Sequence, residues 1–502
     1  MTIFSLPHIP TLADDKATSL SAVGSAVKLV LFVMLLGLVL RAGLFAVSGW
    51  QDPSRAMVGD SQRYLDLGHN LATTGAFGLA EEDSGLVHIP LSRLRDGLGQ
   101  GPAEVATGIY AEGFRTPGYP ALLAIFDLLG LGLHSVLLMQ VILGALTIGL
   151  VGWIAWMVTH RAKVAAAAAL LFAVNPGSIV ECNLILSECL FTFLLTLSIA
   201  LLLYTRRTGR WQPVALLGVT VAAAALVRPI AIVIIPLAGV VLLLPYRRIA
   251  ESAADVLSPG LGRRVAYALL FGALVALPLS GWIARNHAVG YGPKLSTVPD
   301  VNAWFYTAAY LDLTKQGKDH SADWPEAVEQ QMATLTASAS VDQSVYSTAR
   351  ELATQRIGQD PALYATLLAR SGVKFFTDHS MTEVGGLTGK PWESTGLRSR
   401  VLSGDVGALL ANPLMLVPLA WMLFNLAFLL TALTGVIVFW RRGRRVEVLF
   451  LSLVIAGFVF ATQTNGLERF RWPIAPVQAV LAGAGTLALM RYRVEKPEEA
   501  ER

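Results

Sequence analysis

Apolar and polar positions along this chain come in blocks rather than alternating residue by residue. A membrane-crossing helix needs about 20 mainly apolar residues. Runs of that kind are read at Leu29–Val47, Val136–Val158, Val164–Asn175, Leu186–Tyr204, Val214–Val227, Ile230–Leu244, Val265–Trp282, Leu414–Trp440, Val446–Thr462 and Ile474–Met490. Tyr119–Leu131 is apolar but short, and reads as an amphipathic helix lying at a membrane surface. With that choice the pattern predicts about ten spans (10–13 at the limits) and two long polar segments, 50–118 and 285–411, on one face. Ser344–Arg356 and Pro361–Phe376 carry helical periodicity, so the second segment reads as a small cap.

Orientation follows from the basic residues. Arg161/Lys163, Arg206/Arg207/Arg210, Arg247/Arg248/Arg263/Arg264, Arg441/Arg442/Arg444/Arg445 and Arg491/Arg493 all fall on the side opposite the two polar segments. The excess of Lys and Arg in cytoplasmic loops makes that side the cytoplasm and puts both termini there. No cleavable leader is read at the start, because the first apolar run is too long and lacks a clear small-residue cleavage site. The predicted organisation is an N-terminal membrane module 1–284 containing the outer loop 50–118, an outer cap 285–411, C-terminal helices 412–490 and a tail 491–502.

Composition agrees with the pattern. The 502 residues are 54% hydrophobic and only 15% charged, with a mean hydropathy of +0.56, whereas soluble domains carry about 25% charged residues. A soluble enzyme, a secreted disulfide scaffold and a disordered hub are excluded. The formal charge of +4 is too small to suggest a nucleic-acid surface. The two cysteines, Cys182 and Cys189, stand seven apart; on one continuous helix they would share a face two turns apart, beyond disulfide reach.

Ionisable groups at span ends gather on the outer face: Arg41, Asp60 in Gly59-Asp60-Ser61-Gln62-Arg63-Tyr64, Arg115, Glu181, Glu188, Arg228, Arg285 with Asn286, and Glu468-Arg469-Phe470-Arg471. Such groups are costly at membrane depth and mark function by default. Each also has a plainer reading. Arg41, Arg63 and Arg469 can be snorkelling side chains, Asp60 a helix N-cap, Glu188 half of a structural ion pair, Glu81-Glu82-Asp83 a solvated loop face, and Trp304 and Tyr306 interface aromatics. The combination favours chemistry on a lipid-linked phosphate. Arginine binds phosphate with a planar fork and stays charged when partly desolvated, and a carboxylate can serve as general base toward a hydroxyl.

Taken in order, Gly59-Asp60 with Tyr64, Phe114-Arg115-Thr116-Pro117-Gly118-Tyr119-Pro120, Leu186-Ser187-Glu188, Val227-Arg228-Pro229, Trp282 with Arg285-Asn286, and Arg469-Phe470-Arg471-Trp472-Pro473 resemble the landmarks of the GT-C superfamily of membrane glycosyltransferases. The likeness is to bacterial enzymes related to protein mannosyltransferases and the lipid A aminoarabinose transferase, and it spans almost the whole chain. It implies an all-α polytopic bundle in a bacterial inner membrane, with an extracytoplasmic active site. The reaction implied is inverting transfer of a monosaccharide from a polyprenyl-phosphate donor to a hydroxyl on a glycan, lipid or protein acceptor. Asp60 occupies the place of the family's catalytic carboxylate; the resemblance makes Arg115, Arg228, Arg285 and Arg471 candidates for the donor phosphate, with Tyr64, Tyr119, Glu188, Asn286 and Arg469 as candidate substrate contacts. Many relatives carry two adjacent acidic residues where this chain reads Asp60-Ser61. That departure weighs against a protein O-mannosyltransferase and a paired-carboxylate metal site, so no divalent cation and no other cofactor is expected. A lipid-linked saccharide transporter and a polymerase or ligase using diphosphate-linked oligosaccharides stay open as alternatives. The transporter is less favoured, because transporters place polar residues at mid-membrane and show inverted repeats.

Overall fold

The computed structural model describes residues 20–80, 85–86, 89–90, 102–246, 259–320, 322–338, 344–389, 415–464 and 466–495. The acidic run Glu81-Glu82-Asp83, the basic pair Arg247/Arg248, the end of the cap from 390 to 411 and the last residues of the tail, 496–502, lie outside them. The membrane module begins with α1 (Leu20–Val47) and a short α2 (Ser61–Thr74), followed by α3 (Gly118–Leu128), α4 (Leu133–Thr159), α5 (Ala162–Ala173), α6 (Pro176–Glu181), α7 (Glu188–Thr208) and α8 (Gln212–Val227). A 3-10 turn at Pro229–Val233 leads into α9 (Ile234–Leu243), and α10 (Leu261–Ala288) completes the module. The cap adds α11 (Val298–Asn302), a π-helical turn at Ala303–Ala308, α12 (Ala309–Gln316), α13 (Trp324–Ser338), α14 (Val345–Gln359), α15 (Pro361–Thr377) and α16 (Met381–Thr388). Helices α17 (Leu416–Arg441), α18 (Arg445–Ala461) and α19 (Ala475–Glu495) close the bundle.

Among the described residues six helical segments are long and apolar enough to cross a membrane: Val23–Val47, Leu133–Thr159, Glu188–Thr208, Leu261–Ala288, Leu416–Arg441 and Glu468–Met490. The four remaining expected spans fall on α5, α8, the Pro229–Leu243 segment and α18, which are shorter. Two of these stop before a proline. Asn175-Pro176 stops α5, and Arg228-Pro229 stops α8, because a residue before proline is pushed out of the helical region. The helix α3 buries Tyr119, Pro120, Leu123 and Ala124 and exposes Ile125 and Leu128. The fold is nearly all helical. Among the described residues the exceptions are two small antiparallel sheets between the first and third helices: Ile109–Ala111 pairs with both Gly78–Ala80 and Glu104–Ala106, and Gly85–Leu86 pairs with Ile89–Pro90.

Two readings of the sequence are corrected here. Cys182 and Cys189 do not sit on one helix. The chain leaves α6 at Cys182, runs irregularly to Ser187 and enters α7 at Glu188, which folds the two buried thiols to 3.5 Å between sulfurs. Arg41 is not a snorkelling side chain. It is fully buried, donating to the carbonyls of Gly37 (3.1 Å) and Ala173 (3.2 Å) and to Ser178 Oγ (2.8 Å). It therefore supplies donors to the carbonyl ends left open where α5 breaks. On the far side of the bundle α17 and α19 cross at glycine: a side chain at Gly435 would strike the backbone of Leu481, and one at Gly485 the backbone of Thr431. Small residues let helices approach closely where no hydrophobic effect drives them together.

Replacing Arg41 with Met should lower the melting temperature in detergent clearly. It strands buried acceptors at a cost of about 1–3 kcal/mol, while Arg210→Ala, at an exposed position, should not. Equal melting curves for the two variants would contradict the bracing role given to Arg41.

Candidate active site

The site is assembled from helix ends. Gly59 adopts a left-handed backbone (φ +53°), and a side chain there would meet Arg469 Nη1, so glycine is needed both for the turn and for the approach of Arg469. Asp60 follows at the start of α2. Its side chain makes no capping hydrogen bond, so the N-cap reading does not hold for it; Ser61 Oγ bonds the Val58 backbone instead. Freed from capping, the Asp60 carboxylate faces two arginines. Oδ1 accepts from Arg115 Nη2 at 2.5 Å and Oδ2 from Arg469 Nη2 at 3.1 Å.

Glu188 opens α7, where a negative charge suits the helix dipole, and Arg228 caps the C-terminal end of α8, where a positive one does. Glu188 Oε1 lies 2.7 Å from Arg228 Nη1 and 2.7 Å from Arg469 Nε. Arg469 is thus shared by both carboxylates. Ser187 Oγ accepts from Arg228 (3.1 Å) and pairs with the Tyr64 hydroxyl (3.2 Å). Tyr64 packs edge-on against Tyr119, whose hydroxyl donates to Gln140 Oε1 at 2.9 Å. Arg115 lies over the rings of Tyr64 and Phe114. The turn that presents it is fixed by Glu112, which accepts the backbone N–H groups of Phe114 (2.8 Å) and Arg115 (2.9 Å).

One network therefore joins Asp60, Arg115, Glu188, Arg228, Arg469, Tyr64 and Tyr119, all singled out in the sequence. Arg469 is no snorkelling residue but the centre of this network. The other three stand elsewhere. Arg285 donates to the carbonyls of Glu112 (2.5 Å) and Phe77 (2.6 Å) and to Asn286 Oδ1 (3.0 Å), and Asn286 donates to Lys294 and Leu295 carbonyls. Together they clamp the loop between α2 and α3 onto the end of α10. Arg471 is buried against Glu468, which also accepts from Trp421 Nε1 (2.8 Å), Ser380 Oγ (3.0 Å) and Asn425 Nδ2 (3.3 Å), and Arg471 Nη1 donates to the Phe376 carbonyl. That joint fastens the last span to α15, α16 and α17.

Sequence reasoning did not assign Ser187, Gln140 or Glu112 to the site. Ser187 and Glu112 stand next to or three residues from residues it did assign, and that adjacency was the available signal. Gln140, a lone amide inside an apolar run, was the signal for the Tyr119 anchor.

The electrostatics separate the two carboxylates. Glu188 is fully enclosed, while the Asp60 side chain keeps 32% exposure, so Asp60 is the group an incoming molecule can reach. Burial alone would raise the Asp60 carboxyl, but Arg115 and Arg469 beside it hold it well below the usual carboxylate range. Burial opposes the charge on Arg115, and Asp60 and Glu112 overcome it. A divalent cation does not suit this arrangement, because three guanidinium groups already face the two carboxylates. Among the described residues no group of three His, Cys, Asp or Glu side chains converges as a metal site would.

A depressed folded-state pKa contributes stability that is present above the unfolded value, about 3.9 for Asp, and is lost as pH falls below it. The melting-temperature advantage of wild type over Asp60→Asn should therefore be largest near neutral pH and shrink between about pH 5 and pH 3. An advantage that does not change with pH would contradict the ion-pair geometry.

Residues 134–286 match the dolichyl-phosphate-mannose-protein mannosyltransferase family. No curated protein matches the chain. Among solved structures it is similar to the oligosaccharyltransferase AglB of Archaeoglobus fulgidus in complex with an inhibitory peptide and a dolichol-phosphate, at 13% identity over 95% of this chain and 52% of that one, TM-score 0.51. It is similar also to the apo form of the Archaeoglobus fulgidus enzyme, at 14% identity over 95% and 52%, TM-score 0.50. A weaker likeness is to ArnT from Cupriavidus metallidurans in the apo state, at 12% identity over 92% and 78%, TM-score 0.34. The chain spans about half the length of the archaeal protein. With its helical bundle and membrane-length helices, the chain has the membrane-helix fold of the archaeal oligosaccharyltransferase, and residues 134–286 resemble the mannosyltransferase family.

Proposed function

We propose that the protein is an inverting glycosyltransferase that moves a monosaccharide from a polyprenyl-phosphate carrier to an acceptor hydroxyl on the extracytoplasmic face of a bacterial inner membrane. The observation that carries this reading is the single network in which one reachable carboxylate, Asp60, and one enclosed carboxylate, Glu188, share three arginines. Mannosyl transfer from a dolichyl phosphate in the family matched by residues 134–286 supports the donor class.

In this reading the donor phosphate docks among Arg115, Arg228 and Arg469. Arg285 and Arg471 support it from outside, bonded to backbone carbonyls, Asn286 and Glu468 rather than to the two carboxylates of the cluster. The acceptor oxygen attacks the anomeric carbon from the face opposite the phosphate, the bond to phosphate oxygen breaks, and the acceptor proton passes to Asp60. The carrier leaves as polyprenyl phosphate, with more negative charge than the bound diester. Fixed guanidinium groups stabilise that developing charge best in a partly dry site. Asp60 is a poor base while two arginines hold it. As the donor phosphate draws Arg115 and Arg469 toward itself, the carboxylate regains basicity, so the base becomes effective when the donor is in place.

Purified protein in lipid, given radiolabelled polyprenyl-phosphate monosaccharides and cell-envelope extract, should release polyprenyl phosphate from at least one donor. Asp60→Asn should fold and lose about a hundredfold or more of that rate, the lower bound for a positioned base. Release only from a diphosphate-linked oligosaccharide would point to a polymerase or ligase. No release from folded wild-type protein would overturn the reading, and full activity of Asp60→Asn would remove the role given to that residue.

A further inference from the structure

The cap meets the loop before Arg469 at the π-helical turn Ala303–Ala308, within Val301-Asn302-Ala303-Trp304-Phe305-Tyr306 and the residues that follow. A π turn widens the helix by one residue, is rare, and recurs at functional positions. Here it splits the aromatics that the sequence reading grouped together as interface side chains. Trp304 and Phe305 turn into the cap core, with Trp304 Nε1 donating to the Gln331 carbonyl at 3.1 Å. Tyr306 stays half-buried and lies within the electrostatic reach of both Asp60 and Arg469.

The Tyr306 ring is held in place. It stacks on Trp324 (centroids 5.1 Å apart, planes at 26°), and Tyr310 meets its edge at 6.3 Å. Trp324 is itself fixed by donating to the Phe305 carbonyl at 3.0 Å. The next residue, Thr307, ties the turn to the loop before Arg469 through Gln463 Oε1 (2.8 Å) and Thr464 Oγ1 (3.1 Å). Gln463 takes a left-handed backbone (φ +51°), a conformation that costs energy in a non-glycine residue, and its carbonyl accepts from Ser371 of α15 at 2.8 Å. The loop that carries Arg469 and the turn that carries Tyr306 are thus latched to each other. Against this rigid support, the Tyr306 hydroxyl has no hydrogen-bond partner among the described residues.

We propose that Tyr306 is a substrate-contacting residue on the acceptor side of the site, its phenol O–H donating to an oxygen of the acceptor beside the hydroxyl that attacks, and so turning that hydroxyl toward Asp60. The proposal rests on the glycosyl-transfer reading above. The acceptor side is favoured over the donor side because Tyr306 comes from the cap, whereas the arginines available to the phosphate come mainly from span ends. Burial and Asp60 push the phenol up, with Arg469 partly offsetting them, so the group stays protonated and remains a donor at neutral pH. A preformed, unpartnered hydroxyl orients a substrate at little entropic cost.

Tyr306→Phe removes only the oxygen and keeps the stack on Trp324. The test uses full-length protein in lipid with whichever labelled polyprenyl-phosphate monosaccharide wild type accepts. Transfer to envelope extract is measured over a dilution series, alongside hydrolysis of the same donor by water and binding of polyprenyl phosphate. The ratio of transfer to hydrolysis should fall about tenfold, the scale of one lost neutral hydrogen bond, with polyprenyl phosphate bound as by wild type. Thr307→Val, which loosens the latch, should shift the ratio in the same direction by less. An unchanged ratio in Tyr306→Phe, whether both rates hold or both fall together, would overturn the proposal, and weakened binding of polyprenyl phosphate would move Tyr306 to the donor side and overturn it equally. Failure of wild type with every polyprenyl-phosphate donor would instead bring down the underlying reading, and the role of Tyr306 with it.

Discussion

Arg469 holds together parts of the chain that are far apart in sequence. Its guanidinium reaches Asp60 after the first span and Glu188 at the head of α7, while Arg115 takes the other oxygen of Asp60 and Arg228 shares Oε1 of Glu188. A charge taken out of water is tolerated only when paired, and removing one member of a buried pair typically costs 3–5 kcal/mol. The five groups therefore constrain one another: the turn at Gly59, the break between α6 and α7, the end of α8 at Arg228-Pro229 and the opening of the last span all have to meet at one point. Such a network is also primed for exchange, since an incoming phosphate offers the arginines a partner in place of the carboxylates.

Two further joints keep that point in position. Arg285 clamps the loop between α2 and α3 by its carbonyls to the end of α10, and Arg471 with Glu468 fastens the start of the last span to the helices before it. Each supports a neighbour in the cluster: Arg285 holds the Glu112 backbone beside Arg115, and Arg471 stands two residues after Arg469. The same residue type thus faces a carboxylate at Arg228 and staples peptide carbonyls at Arg285. What separates them is whether the guanidinium faces carboxylates that a ligand can displace or peptide carbonyls that nothing can.

The fold was legible in the sequence to the extent that it rests on apolar block length and on the placement of Lys and Arg. The long helices, the cap helices at Val345–Gln359 and Pro361–Thr377, and the helix break at Asn175-Pro176 follow from local composition. The gathering of Asp60, Glu188, Arg115, Arg228 and Arg469 was legible as positions on one face, because charge is costly at membrane depth. Which arginine meets which partner was not, since that depends on side-chain direction at helix ends. The two cysteines show the same limit: seven-residue spacing predicts separation only if the helix is continuous, and it breaks between them. Arg41 was misread for a related reason, because a lone arginine in an apolar helix looks alike whether its carbonyl partners are lipid-side or in the next helix. The π turn that aims Tyr306 has no compositional signature at all.

The most direct test of the account is binding without turnover. Polyprenyl phosphate should be titrated into the protein in lipid nanodiscs, comparing wild type with Arg228→Met and with Arg441→Met, the latter at the exposed end of α17 away from the cluster. Charge-assisted hydrogen bonds are worth about 1.5–3 kcal/mol, so the account predicts saturable binding that weakens tenfold or more in Arg228→Met and is unchanged in Arg441→Met. Equal affinity in all three proteins would contradict the claim that the arginine cluster is where the lipid-linked phosphate binds.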